Sequence, residues 1–333
     1  MEWERMIEIR RGPLLEIVQN GVIAVVDETG LRHSMGDVSY VSYYRSSSKP
    51  IQMLPLLVLG IDKKYGLTDE EISIMSGSLA CSPRQVELSK SIMEKAGIAE
   101  DTLIMLPCYP MREEYAAQYM KSGLEPSKLF HNCIGKHLAL ILMQREMGGN
   151  ERNYWKVESP VQQEILRYLS LFTDIPAQDI AVGWDGCGVP VFGVPMTNMA
   201  LSYLRLAATD LIADEAIASA ASRNAQIISC YPENLMDAKA LCGVLCQDAN
   251  IIGKIGADGV YTLGLKDERI GIAAKVYDGN SAHMHAIVAE ILRQIDYKNK
   301  ETIRRLDESF SSDIKDATGK VVGRKKAALR LCL

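Results

Sequence analysis

The chain has 333 residues, 47% of them hydrophobic, and carries 37 Lys plus Arg against 42 Asp plus Glu, a formal net charge of -5. That length can bury a sizeable core without help from metal or disulfides. Its basic residues are scattered, which disfavours a nucleic-acid partner. Glu2, Glu4, Arg5, Glu8, Arg10 and Arg11 would interrupt the apolar core of a secretory signal, so the expected compartment is the cytoplasm. The most apolar segment, Ile51 to Ile61, contains Gln52 and Pro55 and is too short to cross a bilayer, so no membrane partner is expected. Eight cysteines are too dilute for a disulfide scaffold, and most read as small core hydrophobes.

Taken in chain order, the pattern starts with strands. Leu14 to Val18 and Val22 to Val26 are β-like, and Asp27-Glu28-Thr29-Gly30 is a turn sequence. From Lys49 to about Ala220, apolar residues at spacings of three and four predict helices over Gln52-Leu59, Arg84-Ala96, His137-Met147, Val161-Leu171 and Leu201-Ala218. Strand signals return after Ile227, in Ala240-Leu245, Gly259-Gly264 and Ile272-Val276, and Asp278-Gly279 favours a tight reversal. A last helix is expected from near Ser281, burying Met284, Ile287, Val288, Ile291, Leu292 and Ile295. Strands at both ends of the chain predict one mixed, largely antiparallel sheet, built from about residues 7–45 and 225–280, with a helical middle over about 46–224. Residues 299–333 form a C-terminal extension whose cluster Arg324-Lys325-Lys326 reads as solvated.

Chemistry is concentrated in a few short pieces. Ser46 and Lys49 are three apart, so on a helix they share a face and the amine can take the hydroxyl proton during attack on a carbonyl. The bland alternative is a helix cap followed by a solvated lysine. Ser78 and Lys254 offer a second serine and lysine, with Lys254 on or beside a strand facing a glycine-lined space. Cys133 and Lys136, with Cys187, place two thiolates and an amine where zinc is conceivable. Lysine is an uncommon ligand, and two buried cysteines with Lys136 in an ion pair are the alternative. Asp185 lies among glycines, where it either receives a substrate ammonium or caps the turn.

Six pieces in order resemble one family. They are Arg45-Ser46-Ser47-Ser48-Lys49-Pro50, Met75-Ser76-Gly77-Ser78, Cys133-Ile134-Gly135-Lys136-His137, Asp185-Gly186-Cys187 with Pro190, Gly253-Lys254-Ile255-Gly256-Ala257-Asp258, and Asp278-Gly279-Asn280. Together they resemble the bacterial asparaginase family of the Rhizobium etli inducible type. The resemblance implies an α+β fold like that of serine β-lactamases and penicillin-binding proteins, a homodimer, and hydrolysis of L-asparagine to L-aspartate and ammonia. A catalytic region over residues 1–298 is also what it implies. By motif it implies a nucleophilic Ser46 with partner Lys49 and a second pair, Ser78 and Lys254. Asp185 and Arg45 are implied at the substrate, and one zinc ion on Cys133, Lys136 and Cys187. Two stretches depart from the family pattern and are expected at the pocket rim. Leu79-Ala80-Cys81-Ser82-Pro83 replaces a stretch usually resembling His-Ser-Ser-Glu-Asp, and Tyr109 stands where histidine is common. The rival readings are a β-lactamase-like or other small-amide serine acyltransferase, and a zinc-stabilised amino-acid-binding protein without catalysis.

Overall fold

The computed structural model describes residues 4–332. Its main sheet has eight strands: β1 (Glu4–Arg11), β2 (Leu14–Asp27), β3 (Gly30–Met35) and, from the distant end of the chain, β7 (Ile251–Gly256), β8 (Val260–Leu265), β9 (Ile270–Val276), β10 (Asp313–Lys315) and β11 (Val321–Ala327). The spatial order is β10-β11-β1-β2-β9-β8-β7, with β3 also on β2, and every pair is antiparallel. The expected α+β architecture, one sheet from the two chain ends with helices in the middle, is what forms.

Helix Met196–Ala207 lies against β2, β8 and β9. The approach is so close that a Cβ on Gly264 would meet the Tyr203 carbonyl oxygen at 2.2 Å, and one on Gly271 would meet that of Ala200 at 2.1 Å. These two glycines face each other across β8 and β9 and let helix backbone rest on sheet backbone. Because Val22–Val26 is covered on both faces, that half of β2 reads as a continuous apolar run rather than an alternation.

Four local expectations are corrected. Leu14–Val18 and Val22–Val26 belong to one strand of 14 residues, because β2 runs straight through Asn20 and Gly21 between β1 and β9. Leu201–Ala218 is two helices, Met196–Ala207 and Glu215–Cys230; Asp214 caps the second by accepting from the amides of Ala216 and Ile217. Ala240–Leu245 is a buried helical turn, Leu241–Leu245, where a short apolar run without period left helix and strand undecided. The basic tail is a strand of the main sheet rather than an extension, although Arg324 and Lys326 keep exposed side chains. Asp316 and Gly319 close a turn, β11 pairs with β1, and Arg324 sits opposite Arg10 within the ladder.

A second, three-stranded sheet joins the end of the predicted N-terminal strand segment to two strands inside the predicted helical middle: β4 (Val41–Tyr43), β5 (Ala181–Trp184) and β6 (Pro190–Pro195), in the order β4-β6-β5. It positions two functional segments at once. Its strand β4 runs directly into Arg45 and the serine run, and the β5–β6 hairpin carries Asp185 and Cys187 in its loop.

Candidate active site

The serine run forms a 3-10 turn, Arg45–Ser48, followed by the short helix Lys49–Gln52. Arg45 takes a φ of 51°, a left-handed conformation that costs a non-glycine residue about 1–2 kcal/mol. Its guanidinium is held by Asp185, with Nε 2.9 Å from Oδ1, and also pairs with Asp258. The run is anchored from below as well. Tyr203 donates to the Ser47 carbonyl at 2.7 Å, and Tyr44 donates to Ser202 at 2.8 Å. Ser47 donates to the Tyr44 carbonyl and Ser48 to that of Arg45. Among the described residues, the Ser46 hydroxyl makes no such bond. It faces a cavity of about 370 Å³, whose other polar lining comes from Ser78, Arg112, Asn132 and Ser281.

Strand β7 passes beside this turn, and the contact requires glycine: a Cβ on Gly256 would lie 2.3 Å from the Tyr44 carbonyl oxygen. The same strand buries Lys254, whose Nζ donates to Ser78 Oγ at 3.0 Å and to the Ile255 carbonyl at 3.0 Å. Lys49 reaches the same hydroxyl at 3.2 Å and also donates to the Gly77 carbonyl at 2.6 Å. Ser78 is fixed through its backbone, its amide donating to Leu235 while that of Leu79 donates to Asn132. Three expected residues, Lys49, Ser78 and Lys254, therefore form one hydrogen-bonded unit. Ser46 shares the cavity with Ser78, and no hydrogen bond joins it to Lys49. Burial lowers Lys254 to about 8, and the neighbouring Lys49 charge acts in the same direction.

A second polar cluster adjoins the first. Lys49 lies 3.5 Å from the Cys133 sulfur, and Lys136 lies 3.1 Å from Cys187 Sγ and 3.6 Å from Asp185 Oδ2. Cys133 immediately precedes helix Ile134–Glu146, and its thiol is held far below the ordinary range. The hydrogen bond from Cys187 is the main cause, and the Lys49 and Lys136 charges add to it. The proton stays on Cys187, pushed up by that same hydrogen bond and by burial. Burial opposes the Lys136 charge, but the two sulfurs and Asp185 outweigh it and raise Lys136 above a normal amine. Burial likewise opposes the Asp185 charge; Lys136 and Arg45 hold that carboxyl below its usual range. Asp185 also accepts the Gly186 amide at 2.8 Å, so it caps its own turn, and it does not line the cavity.

The sequence profile of the family described as L-asparaginase II matches residues 7–327. The chain belongs to the L-asparaginase II family. Membership supports amidohydrolase chemistry on a small amide in general. The expected zinc is corrected. Among the described residues no group of three or more His, Cys, Asp or Glu side chains is placed to hold a metal ion. Lys136, needed as the third ligand, is instead paired with Asp185 Oδ2 at 3.6 Å and with Cys187 Sγ at 3.1 Å. Cys133, Lys136 and Cys187 form an ion-pair cluster instead, and the family assignment does not depend on a metal.

No curated protein has a significantly similar sequence. Among solved structures, the chain resembles Mglu in its native form at 15% identity and a TM-score of 0.46, over 83% of this chain and 64% of that one. It resembles a β-lactamase from Mycobacterium bovis at 13% identity and 0.41, over 82% and 94%. A Bacillus glutaminase is similar at 13% identity and 0.37, over 84% and 92%. The chain thus spans less than two thirds of the length of Mglu, and likenesses this distant establish neither substrate nor mechanism.

The two departures from the family pattern separate. Leu79 and Ala80 line the cavity, and Ser82 caps helix Pro83–Ala96 in a capping box with Gln85. Tyr109, expected at the rim, is not in the lining and donates to the Leu124 carbonyl at 2.9 Å. Missing from the sequence reading were the Gly77 carbonyl, which receives Lys49, and the pair Arg112–Asp237 beside the cavity. Neither carries a local signal, since each joins segments far apart in the chain.

Proposed function

We propose that this chain is a serine–lysine amidohydrolase that releases ammonia from a small carboxamide, L-asparagine being the substrate the family resemblance implies. The single observation that carries the reading is the bridging of Ser78 by two lysines, one lowered to about 8, in the cavity that Ser46 also lines. Ser46 Oγ attacks the amide carbon, its proton passing to the Ser78–lysine unit. The C–N bond then breaks as that unit protonates the leaving nitrogen, and ammonia departs from an ester on Ser46. Water attacks this ester, the C–O bond breaks, and the carboxylic acid leaves with the serine restored. A neutral lysine near working pH supplies a base without histidine.

One geometric observation favours a second assignment within this chemistry: Ser78 contacts both lysines, so its own hydroxyl is the better activated. Intact-protein mass after rapid quenching with L-asparagine separates the two. Ser46→Ala is expected to abolish the acyl adduct, and Ser78→Ala to slow its formation. An adduct that persists in Ser46→Ala and vanishes in Ser78→Ala would exchange the roles. Ammonia release from L-asparagine also distinguishes this reading from a lactam-opening enzyme and from a non-catalytic binding protein. We propose a homodimer as the assembly, on the family resemblance, to be checked by light scattering.

A further inference from the structure

We infer that Arg112 receives a carboxylate of the substrate, so that this site selects amides that also carry a carboxylate; the inference rests on the amidohydrolase reading and names a residue that sets its specificity. It is carried by the place of Arg112 in the cavity wall, the donors that its guanidinium leaves open, and the way its partner is fixed.

Among the described residues that line the cavity, Arg112 alone has a charged side chain; the rest of the wall is serine hydroxyls, the Asn132 carboxamide and apolar groups such as Leu79, Met111, Met236 and Ile255. A cation in so apolar a wall attracts an anion more strongly than it would in open water. Arg45, the other guanidinium of this region, lies outside the wall and is taken up by Asp185 through Nε and by Asp258 through Nη1. Arg112 is only partly engaged. It pairs with Asp237 through Nη2 alone, and the same nitrogen lies 3.8 Å from the Met236 sulfur, a weak acceptor. Elsewhere in the fold arginines meet carboxylates with two nitrogens, as Arg205 does with Asp174 and Arg269 with Asp210. Among the described residues, Nε and Nη1 of Arg112 make no hydrogen bond. Whichever Nη2 hydrogen Asp237 takes, the other completes a two-pronged edge with Nη1 or with Nε, the shape that holds a carboxylate by two bonds.

The partner is set before any substrate arrives. Asp237 Oδ1 accepts the amides of Lys239 at 2.9 Å and Ala240 at 2.8 Å, so its own turn aims the carboxylate. The adjoining Met236 carbonyl is held by Gln85 Nε2 at 2.8 Å and by the Ala80 amide at 3.3 Å. Arg112 itself immediately precedes helix Glu113–Lys121, which Tyr119 ties to the Cys81 carbonyl at 2.8 Å. A guanidinium positioned in this way loses less freedom on binding than a loose one, which favours recognition. Ser46, Ser78 and Arg112 line one cavity of about 370 Å³, the scale of a single small-ligand site, so one molecule can meet serine at its amide and Arg112 at its carboxylate. Because arginine keeps its charge throughout the working pH range, the contact forms whether or not Lys254 holds a proton and is compatible with a neutral base.

The test is ammonia release by the full chain from L-asparagine and from L-asparagine methyl ester, which keeps the amide and the amino group and masks the carboxylate, with the acyl adduct followed by intact mass. The unsubstituted protein is expected to favour L-asparagine by about 10- to 100-fold in kcat/KM, the scale of a hydrogen bond between charged groups. The Arg112 side chain is 48% exposed, so Arg112→Met should fold, which urea unfolding checks. In that variant the preference is expected to shrink to within about threefold, through a higher KM for L-asparagine with kcat changed less. Arg112→Lys keeps the charge without the fork and is expected to fall between the two. A purely structural role would lower both substrates together and leave the ratio unmoved; that result overturns the inference, as does an unsubstituted protein indifferent to the ester, while the amidohydrolase reading survives either. If Arg112→Met is inactive on both compounds, Arg112→Lys decides, a reduced ratio supporting the carboxylate contact and an unchanged one overturning it. No ammonia and no adduct from either compound overturns the amidohydrolase reading on which the inference rests.

Discussion

Two buried lysines lie within adjoining clusters of this molecule, and their surroundings drive them in opposite directions. Lys254, on β7, meets a neutral hydroxyl, a backbone carbonyl and the charge of Lys49, and burial takes it down to about 8. Lys136, 4% exposed on helix Ile134–Glu146, meets the sulfurs of Cys187 and Cys133 and the Asp185 carboxylate, and they raise it despite burial. Depth is therefore not what separates a base from a fixed cation. The strength of the opposing charges does so: burial lowers both amines, but at Lys136 the two sulfurs and the Asp185 carboxylate outweigh it, whereas at Lys254 the nearby thiols do not and the Lys49 charge adds to burial. In the first cluster the lysine is available to exchange a proton. In the second it is locked as the counter-ion of a carboxylate and a thiolate.

The contrast can be broken most directly by removing each amine. Lys254→Met is expected to cut kcat by about 10²- to 10⁴-fold, the span of a lost general base, with little loss of stability because a poorly solvated amine is removed. Steady-state ammonia release and urea unfolding check the two halves, and a large stability loss with activity retained would reverse the assignment. Lys136→Met is expected to behave oppositely. It leaves Asp185 with Arg45 alone and destabilises the fold by about 3 kcal/mol, as removal of one partner of a buried pair does. The same variant should raise the pH at which Cys133 reacts with a thiol reagent in the unfolding-protected state, since Lys136 is one of the charges that holds that thiol down.

Titration sharpens the comparison. If neutral Lys254 is the base, kcat/KM should rise with pH to a plateau with an apparent pKa near 8, falling about tenfold per pH unit below it. The stability consequence has a definite sign. The folded pKa of about 8 lies below the reference of 10.5, so between them the unfolded chain binds more protons. Stability relative to Lys254→Met should accordingly increase as pH rises from about 8 toward 10.5 and then level off. Denaturant midpoints for the two proteins across that range measure it; a difference that shrinks with rising pH would contradict the lowered pKa.

The smallest expected effect concerns the backbone contact that places β7 beside the serine turn. Gly256→Ala drives a Cβ into the Tyr44 carbonyl oxygen, 2.3 Å away, and should cost about 1–3 kcal/mol as an overpacked contact. Because the displaced segment carries Lys254 and borders Ser46, activity should fall by more than the loss of folded protein explains. Equal losses of activity and folded fraction would mean that the contact supports only the fold.

How much of this was legible beforehand differs from residue to residue. The ordered pieces around Ser46, Ser78, Cys133, Asp185 and Lys254 identify the family, and the strand reading of Gly259–Gly264 and Ile272–Val276 survives as β8 and β9 with boundaries moved by a residue or two. The second sheet escaped notice because β4 and β5 are only three and four residues long, too short for an alternation to register. The tail misled for a different reason. Arg324, Lys325 and Lys326 have the composition of a solvated segment, yet a strand half-exposed in a ladder carries such side chains readily.

The amino-acid sequence by itself determined what local chemistry can encode: helices and strands through periodicity, caps and turns through Ser82, Asp214 and Gly319, and a set of serines and lysines suited to acyl transfer. Only the tertiary structure decided how those groups meet. It turned Lys49 toward Ser78 and Gly77, joined Arg45 to Asp185 across 140 positions, and made a protonated counter-ion of a lysine expected to bind zinc. The physical reason is range. Backbone preferences act over a few residues, whereas a side chain's charge and partners depend on which distant segments exclude water around it.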